Sequence, residues 1–162
     1  MILGPTNGKT EAKRVAIYCR VSTDKQACKE DSSLDTQKDR LVRYVEDKQR
    51  AGHKWELAYE FIEGEDKDGR RKGKSGKDLM RPGFAKLMEK VQRRLVDVVL
   101  FTKIDRISRS VIDFLTLVEE FERHGVAMVS LKEEINTDNA SGRVMTTMMI
   151  ALAQFEREQT SE

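Results

Sequence analysis

The sequence predicts an α/β domain: a mainly parallel central sheet of four to five strands flanked by helices, with a long C-terminal helix whose side chains suit oligomerisation. Three observations predict it. Short apolar runs alternate along the chain with segments of helical periodicity, the pattern of strands joined by helical crossovers. Two basic clusters each follow such a run, and in open parallel sheets functional groups collect at the carboxyl ends of strands. At 162 residues and 38% hydrophobic content, the chain suits one domain around one core.

Each element follows from local signals. Residues 1–13 read as a flexible arm, because Gly4, Pro5, Asn7 and Gly8 break any regular element. Val15 to Val21 is expected to form the first strand. Leu34 to Gln49 is expected to be helical, with Leu34, Leu41, Val42 and Val45 on one face and Ser32 or Ser33 as the cap. Trp55 to Ile62 reads as the second strand. Gly64 to Arg81 carries four glycines among many basic side chains and reads as a mobile loop. Pro82 suits the first turn of a helix reaching about Arg94. Val96 to Phe101 is the expected third strand. A helix from Val111 to Arg123 follows, closed by His124 and Gly125. Val126 to Leu131 is the expected fourth strand, and Asn136 to Gly142 a turn with capping residues. The rest reads as one helix, unfinished at Glu162.

Composition limits the function. Thirty basic residues against 28 acidic ones leave a net charge of only +2, so bulk charge does not announce a nucleic-acid binder. The distribution is more telling. Gly64 to Arg94 holds 11 basic and 5 acidic residues, whereas Glu133 to Glu162 holds 2 basic and 6 acidic. A basic middle and an acidic tail give one face suited to phosphate. Cys19 and Cys28 are too few and too poorly spaced for a zinc site and read as reduced thiols. Met1 to Lys13 lacks the apolar core of a signal peptide, and no long apolar span follows. A soluble, cytoplasmic protein is expected.

Two clusters carry the chemistry. Tyr18-Cys19-Arg20-Val21-Ser22 closes the first apolar run. In an extended strand Arg20 and Ser22 share a face, and Tyr18 shares it too. A guanidinium beside a hydroxyl suits chemistry on a phosphate, since its planar fork matches phosphate oxygens and its charge favours an alkoxide-like nucleophile. The second cluster, Lys103-Ile104-Asp105-Arg106-Ile107-Ser108-Arg109, follows the third strand. Arg106 and Arg109, three apart at an expected helix start, would share a face. Cations there oppose the helix dipole and call for an anionic partner or a network with Asp105.

Other chemistries find no support in the sequence. His53 and His124 have no evident route to Ser22, and there is no Gly-x-Ser-x-Gly elbow, no P-loop and no Gly-x-Gly-x-x-Gly turn. Nor does a carboxylate cluster suited to two magnesium ions occur. A serine among arginines implies metal-free phosphoryl transfer. In the last helix, Met145, Met148, Leu152 and Phe155 follow a heptad-like spacing, and Met149 and Ile150 widen the apolar surface. Such a stripe packs either on its own sheet or on another subunit, and adaptable methionines suit the second.

In chain order, Tyr18 to Ser22, Ser33-Leu34-Asp35-Thr36-Gln37, Ser75-Gly76, Arg81-Pro82-Gly83-Phe84, Lys103 to Arg109 and Ala153-Gln154-Phe155-Glu156-Arg157 resemble the catalytic domain of the serine recombinases. The likeness to this resolvase/invertase group begins near Val15. It is greater towards large serine integrases and transposon recombinases, because the segments 27–33 and 64–81 are long. The resemblance implies that Ser22 attacks a DNA phosphodiester, forming a 5′-phosphoserine linkage and freeing a 3′ hydroxyl, before strand exchange and religation. Arg20, Arg81, Arg106 and Arg109 would bind non-bridging oxygens. Lys103 would donate a proton or contact phosphate, and Asp105 would orient the arginines.

Weaker matches are Tyr18, Gln26, Gln37, Ser75, Glu156 and Arg157 as substrate-binding or orienting residues. Asp66 and Asp68 compete for the acidic position that precedes Ser75-Gly76 in the family. The general base stays unassigned. No cofactor or metal is implied. The expected partners are double-stranded DNA at recombination sites and further copies of the chain, as a homodimer and a synaptic homotetramer, with no membrane. Residues 14–137 would be the catalytic domain and 138–162 the start of the interface helix, with a DNA-binding region expected beyond it. The competing readings are a catalytically silent DNA-binding or assembly module, and a metal-free phosphatase or nuclease.

Overall fold

The computed structural model describes residues 11–20, 33–63, 81–108 and 110–160. The elements are β1 (Lys13–Cys19), α1 (Leu34–Arg50), β2 (Trp55–Ile62), α2 (Pro82–Gln92), β3 (Val98–Phe101), α3 (Ile104–Ile107), α4 (Val111–Arg123), β4 (Ala127–Ser130), β5 (Ile135–Asn136) and α5 (Ala140–Thr160). The sheet order is β2-β1-β3-β4-β5, parallel except for β5, which runs antiparallel to β4. The chain moves outward from β1 to β2 and then returns to β1's other side as β3. The carboxyl ends of β1 and β3 therefore flank the switch point, where α/β sheets place their sites.

β1 is buried from Val15 to Cys19, as a central parallel strand with both faces covered must be. Its alternation splits the core. Ala16 and Tyr18 face a cluster with Phe61, Leu87, Phe101, Phe114 and Phe121, whereas Val15, Ile17 and Cys19 face one with Leu34, Leu41 and Val45 of α1. Each large side chain buried in this way contributes about 1.5–3 kcal/mol.

The caps explain most boundaries. Ser33 caps α1 by accepting from Thr36 N–H at 3.1 Å. Pro82 opens α2, which ends at Gln92, two residues short of the expected limit, because Arg94 takes a left-handed φ of 54°. Ser110 caps α4, and Gly125 at φ 70° closes it as expected. The first strand differs from expectation at both ends. It starts at Lys13, whose side chain pairs with Asp138, and it stops at Cys19, so Arg20 lies beyond the ladder. β3 starts at Val98 rather than Val96; Asp97 just before it takes hydrogen bonds from the backbone and side chain of Arg14.

The region expected as a turn from Asn136 contains part of β5. Its two residues are too few to show a period, yet Ile135 is buried and Thr137 seals the end by bonding Met128 in both directions. At the start of α5, Asn139 accepts from Gly142 N–H at 2.7 Å. Gly142 lies so close to β5 that an added Cβ would sit 1.6 Å from the Asn136 carbonyl oxygen. Only glycine fits there.

Candidate active site at the switch point

Arg20 is the first residue past β1, and α1 fixes it. Gln37, 1% exposed, accepts from Arg20 N–H at 3.3 Å and donates to Arg20 C=O at 3.1 Å. The Arg20 guanidinium then reaches α3: Nε donates to Arg106 C=O at 3.0 Å, and a terminal nitrogen donates to Asp105 C=O. Arg81, at the N-cap of α2, converges on the same turn. It donates to Ile107 C=O at 2.9 Å, to Arg106 C=O at 3.3 Å and to the Tyr18 hydroxyl at 3.1 Å.

Two guanidiniums thus satisfy the terminal carbonyls of a one-turn helix, the end to which cations are drawn. This corrects the sequence expectation. α3 stops at Ile107, and Ser108 is extended, so Arg106 and Arg109 do not share a continuing helix face. Arg20 and Arg81, from outside the turn, donate to its backbone carbonyls.

Arg106 is different. It is 5% exposed, and its Nε–H has no hydrogen-bond partner among the described residues; the nearest carboxylate oxygen, Asp105 Oδ1, lies 3.9 Å away. An unsatisfied buried donor costs about 1–3 kcal/mol, more for a charged group. The Arg106 backbone carbonyl holds the other two guanidiniums, so the turn that carries this donor also gathers two further cations. Asp105 itself is exposed and offers the cluster its backbone carbonyl. Lys103 is half-buried and extended just before α3.

The sequence Arg81-Pro82-Gly83-Phe84 acquires a physical meaning through Glu63, which sequence reasoning missed. Glu63 closes β2, is 7% exposed and accepts from Phe84 N–H at 2.6 Å, capping α2 where Arg81 has no side-chain cap of its own. A Cβ on Gly83 would lie 2.5 Å from the Glu63 carboxylate. Phe84 meets the Tyr18 ring edge-on, and the Arg81 guanidinium lies over both rings, 5.1 Å from Phe84 and 5.8 Å from Tyr18. Burial pushes the Tyr18 hydroxyl far above its ordinary pKa, a rise that Arg81 only partly offsets. Tyr18 is therefore a neutral prop for Arg81. An acidic residue ending an apolar strand was the available signal for Glu63, whereas attention fell on Asp66 and Asp68, which lie outside the described residues.

Ser22, Gln26, Ser75 and Arg109 also lie outside them. Glu156 and Arg157 are exposed in the last turns of α5, which packs on α4 and β5. Met145, Met148, Leu152 and Phe155 form an outward stripe, 49% to 62% exposed. Met149, half-buried, lies beside the stripe, and Ile150 packs on the core. Burial pushes the Cys19 thiol up to about 12, which makes it an inert core residue. Among the described residues, no helix is long and apolar enough to cross a membrane, and no group of three His, Cys, Asp or Glu is placed to hold a metal.

An α/β domain with three arginines gathered on one turn at its switch point concentrates positive charge where such sheets place their sites. Comparison with known proteins narrows that class. The family described as Resolvase, N terminal domain matches residues 15–162, and the chain belongs to it. It is 36% identical over 88 residues to the Transposon Tn3 resolvase of Escherichia coli, covering 54% of this chain and 46% of that protein. With the Transposon Tn552 resolvase of Staphylococcus aureus it shares 31% identity over 142 residues, covering 86% of this chain and 58% of that one. The chain spans about half the length of the curated relatives it matches. The fold matches the crystal structure of the N-terminal catalytic domain of TP901-1 integrase, with TM-score 0.72 and 38% identity over 91% of this chain and 99% of that one.

Proposed function

We propose that this chain is the catalytic domain of a site-specific serine recombinase acting on double-stranded DNA. The observation that carries the reading is the convergence of Arg20, Arg81 and Arg106 on α3, directly before the segment that holds Ser22. In the proposed reaction the Ser22 oxygen forms a bond to phosphorus as the bond to the 3′ oxygen breaks. The serine proton leaves to a base, and the 3′ oxygen takes up a proton. The product is a 5′-phosphoserine ester and a free 3′ hydroxyl, and the reverse displacement rejoins strands after exchange.

Within this reading each arginine has a distinct task. Arg106, with its unused buried donor, contacts a non-bridging oxygen and stabilises the charge that grows in the transition state. Arg20 and Arg81 hold α3 by its carbonyls and contact non-bridging oxygens, and Arg109 joins them. Lys103 contacts phosphate or protonates the leaving oxygen. Gln37 and Tyr18 position Arg20 and Arg81. The stripe Met145, Met148, Leu152 and Phe155 is the surface for a homodimer and, at synapsis, a homotetramer. The protein acts in the cytoplasm, where its DNA is.

The test is a denaturing quench of the full-length protein with DNA carrying its sites. Wild type is expected to leave protein joined to a DNA 5′ end, and Ser22→Ala is expected to leave none. Cleavage that survives the substitution and yields free 5′ phosphates would replace the recombinase reading with a nuclease.

A further inference from the structure

We propose that Glu133 is a positioning residue for the arginine cluster, holding the N-terminal end of α3 while Arg20 and Arg81 hold its C-terminal end. The proposal rests on the catalytic reading of that cluster. α3 is four residues long, far too short to persist as a helix alone. Its geometry must come from outside. Lys103, at the N-cap position, makes no side-chain capping bond. Glu133 takes that place: its Oε2 accepts from Ile104 N–H at 3.3 Å, and the Ser130 hydroxyl donates to the same oxygen. A carboxylate at the amino end and two guanidiniums at the carbonyl end are the two charges a helix dipole favours. Arg106 sits between them.

The turn that carries Glu133 is itself tied down. Leu131 N–H donates to Phe101 C=O at 3.1 Å and Lys132 N–H to Thr102 C=O at 2.9 Å, laying the turn along the end of β3. Glu134 then adopts a left-handed φ of 53°, a conformation that side chains other than glycine and asparagine rarely take without a reason. It redirects the chain into β5. There the Asn136 carbonyl meets Gly142 of α5 with no space for a side chain. A continuous set of contacts thus runs from the first turn of α5 through β5 to the Glu133 carboxylate and on to α3.

The experiment compares Glu133→Ala, Glu133→Gln and Ser130→Ala with wild type in the full-length protein. It reads single-turnover formation of the covalent DNA adduct, DNA affinity and amide exchange at Ile104. Glu133→Ala is expected to slow adduct formation about tenfold or more, since small misplacements of catalytic groups carry large penalties. DNA affinity should hardly change, and Ile104 should exchange faster. Glu133→Gln keeps an oxygen that accepts both hydrogen bonds and should restore rate and protection together. Ser130→Ala should fall between, and it serves as the measured variant if Glu133→Ala fails to fold. An unchanged rate and unchanged Ile104 exchange in the alanine variant would overturn the proposal. So would a loss that follows only the folded fraction and is not rescued by glutamine. If wild type forms no adduct yet Ile104 exchange responds as expected, the catalytic reading falls while the clamp on α3 stands.

Discussion

The four residues of α3 are held by side chains reaching in from the end of β1, the start of α2 and the turn after β4. The 21 residues of α5 are held along one side near their start, by Gly142, Thr146 and Ile150, and from residue 151 onward the described side chains are exposed. One element has almost no intrinsic stability and a fully specified position. The other propagates by its own backbone bonds and presents an apolar stripe to solvent. Polar tertiary contacts give α3 its geometry, and geometry is what chemistry on a phosphate requires. The stripe of α5 is exposed, and it is the surface proposed for another subunit.

The largest expected effect breaks the α3 side. Arg106→Ala should slow adduct formation on the order of a hundredfold or more, the loss of about 3 kcal/mol typical for one oxyanion donor. Arg106→Lys should not restore it, because a lysine lacks the planar fork. Single-turnover cleavage assays on both variants check this, and a near-normal rate in either would refute the assigned role.

Next comes Gly83→Ala. The Glu63 carboxylate is able to swing away from the new methyl group, but only by leaving Phe84 N–H. A loss of about 1–3 kcal/mol is expected in urea unfolding, the cost of a buried group left unpaired.

A third substitution probes the α5 side. Met148→Glu should leave the stability of a single subunit within about 0.5 kcal/mol, because the site is exposed and both residues favour helix. Sedimentation should nonetheless show lost self-association. A large drop in melting temperature at low concentration would mean that the stripe packs within its own chain.

The smallest effect is a polar contact away from both regions. Burial pushes the Asp97 carboxyl up, but hydrogen bonds from the side chain and backbone of Arg14, with its charge, outweigh this and leave it below its ordinary value. A depressed carboxyl stabilises the fold above its unfolded pKa of about 3.9 and loses that contribution as pH falls through the folded value. The urea midpoints of wild type and Asp97→Asn should therefore differ at neutral pH and converge in acid. The gap should be modest, because Asp97 is partly solvated and the pair is screened.

The same contrast explains what the sequence made legible. Elements with a period or a cap were readable: α1 from its apolar face and Ser33, α4 from its closure at Gly125, β2 over its full span. β5 was not, because two residues have no periodicity and Ile135 is drawn in by the core. At the site, Arg20, Arg81 and Arg106 were legible through motif order, and the structure brings them onto one turn. Glu63 left only the faint signal of an acidic residue ending an apolar strand, and Glu133 left none, since a carboxylate that caps a helix from a distant turn makes no local pattern. The short α3 was mistaken for the start of a longer helix because its terminating contacts come from other parts of the chain.

The far half of α5 has one more consequence. Residues 151–160 continue α5 past its packed first turns, and their helix is held by backbone bonds with the described side chains exposed. Anything that covers their stripe therefore also stabilises their backbone, and the two equilibria become one. Helical content, read by circular dichroism, should rise with protein concentration and fall on dilution. Under the proposed pairing of subunits, this part of the helix would gauge how many copies of the chain are near one another, and dilution alone would turn it down.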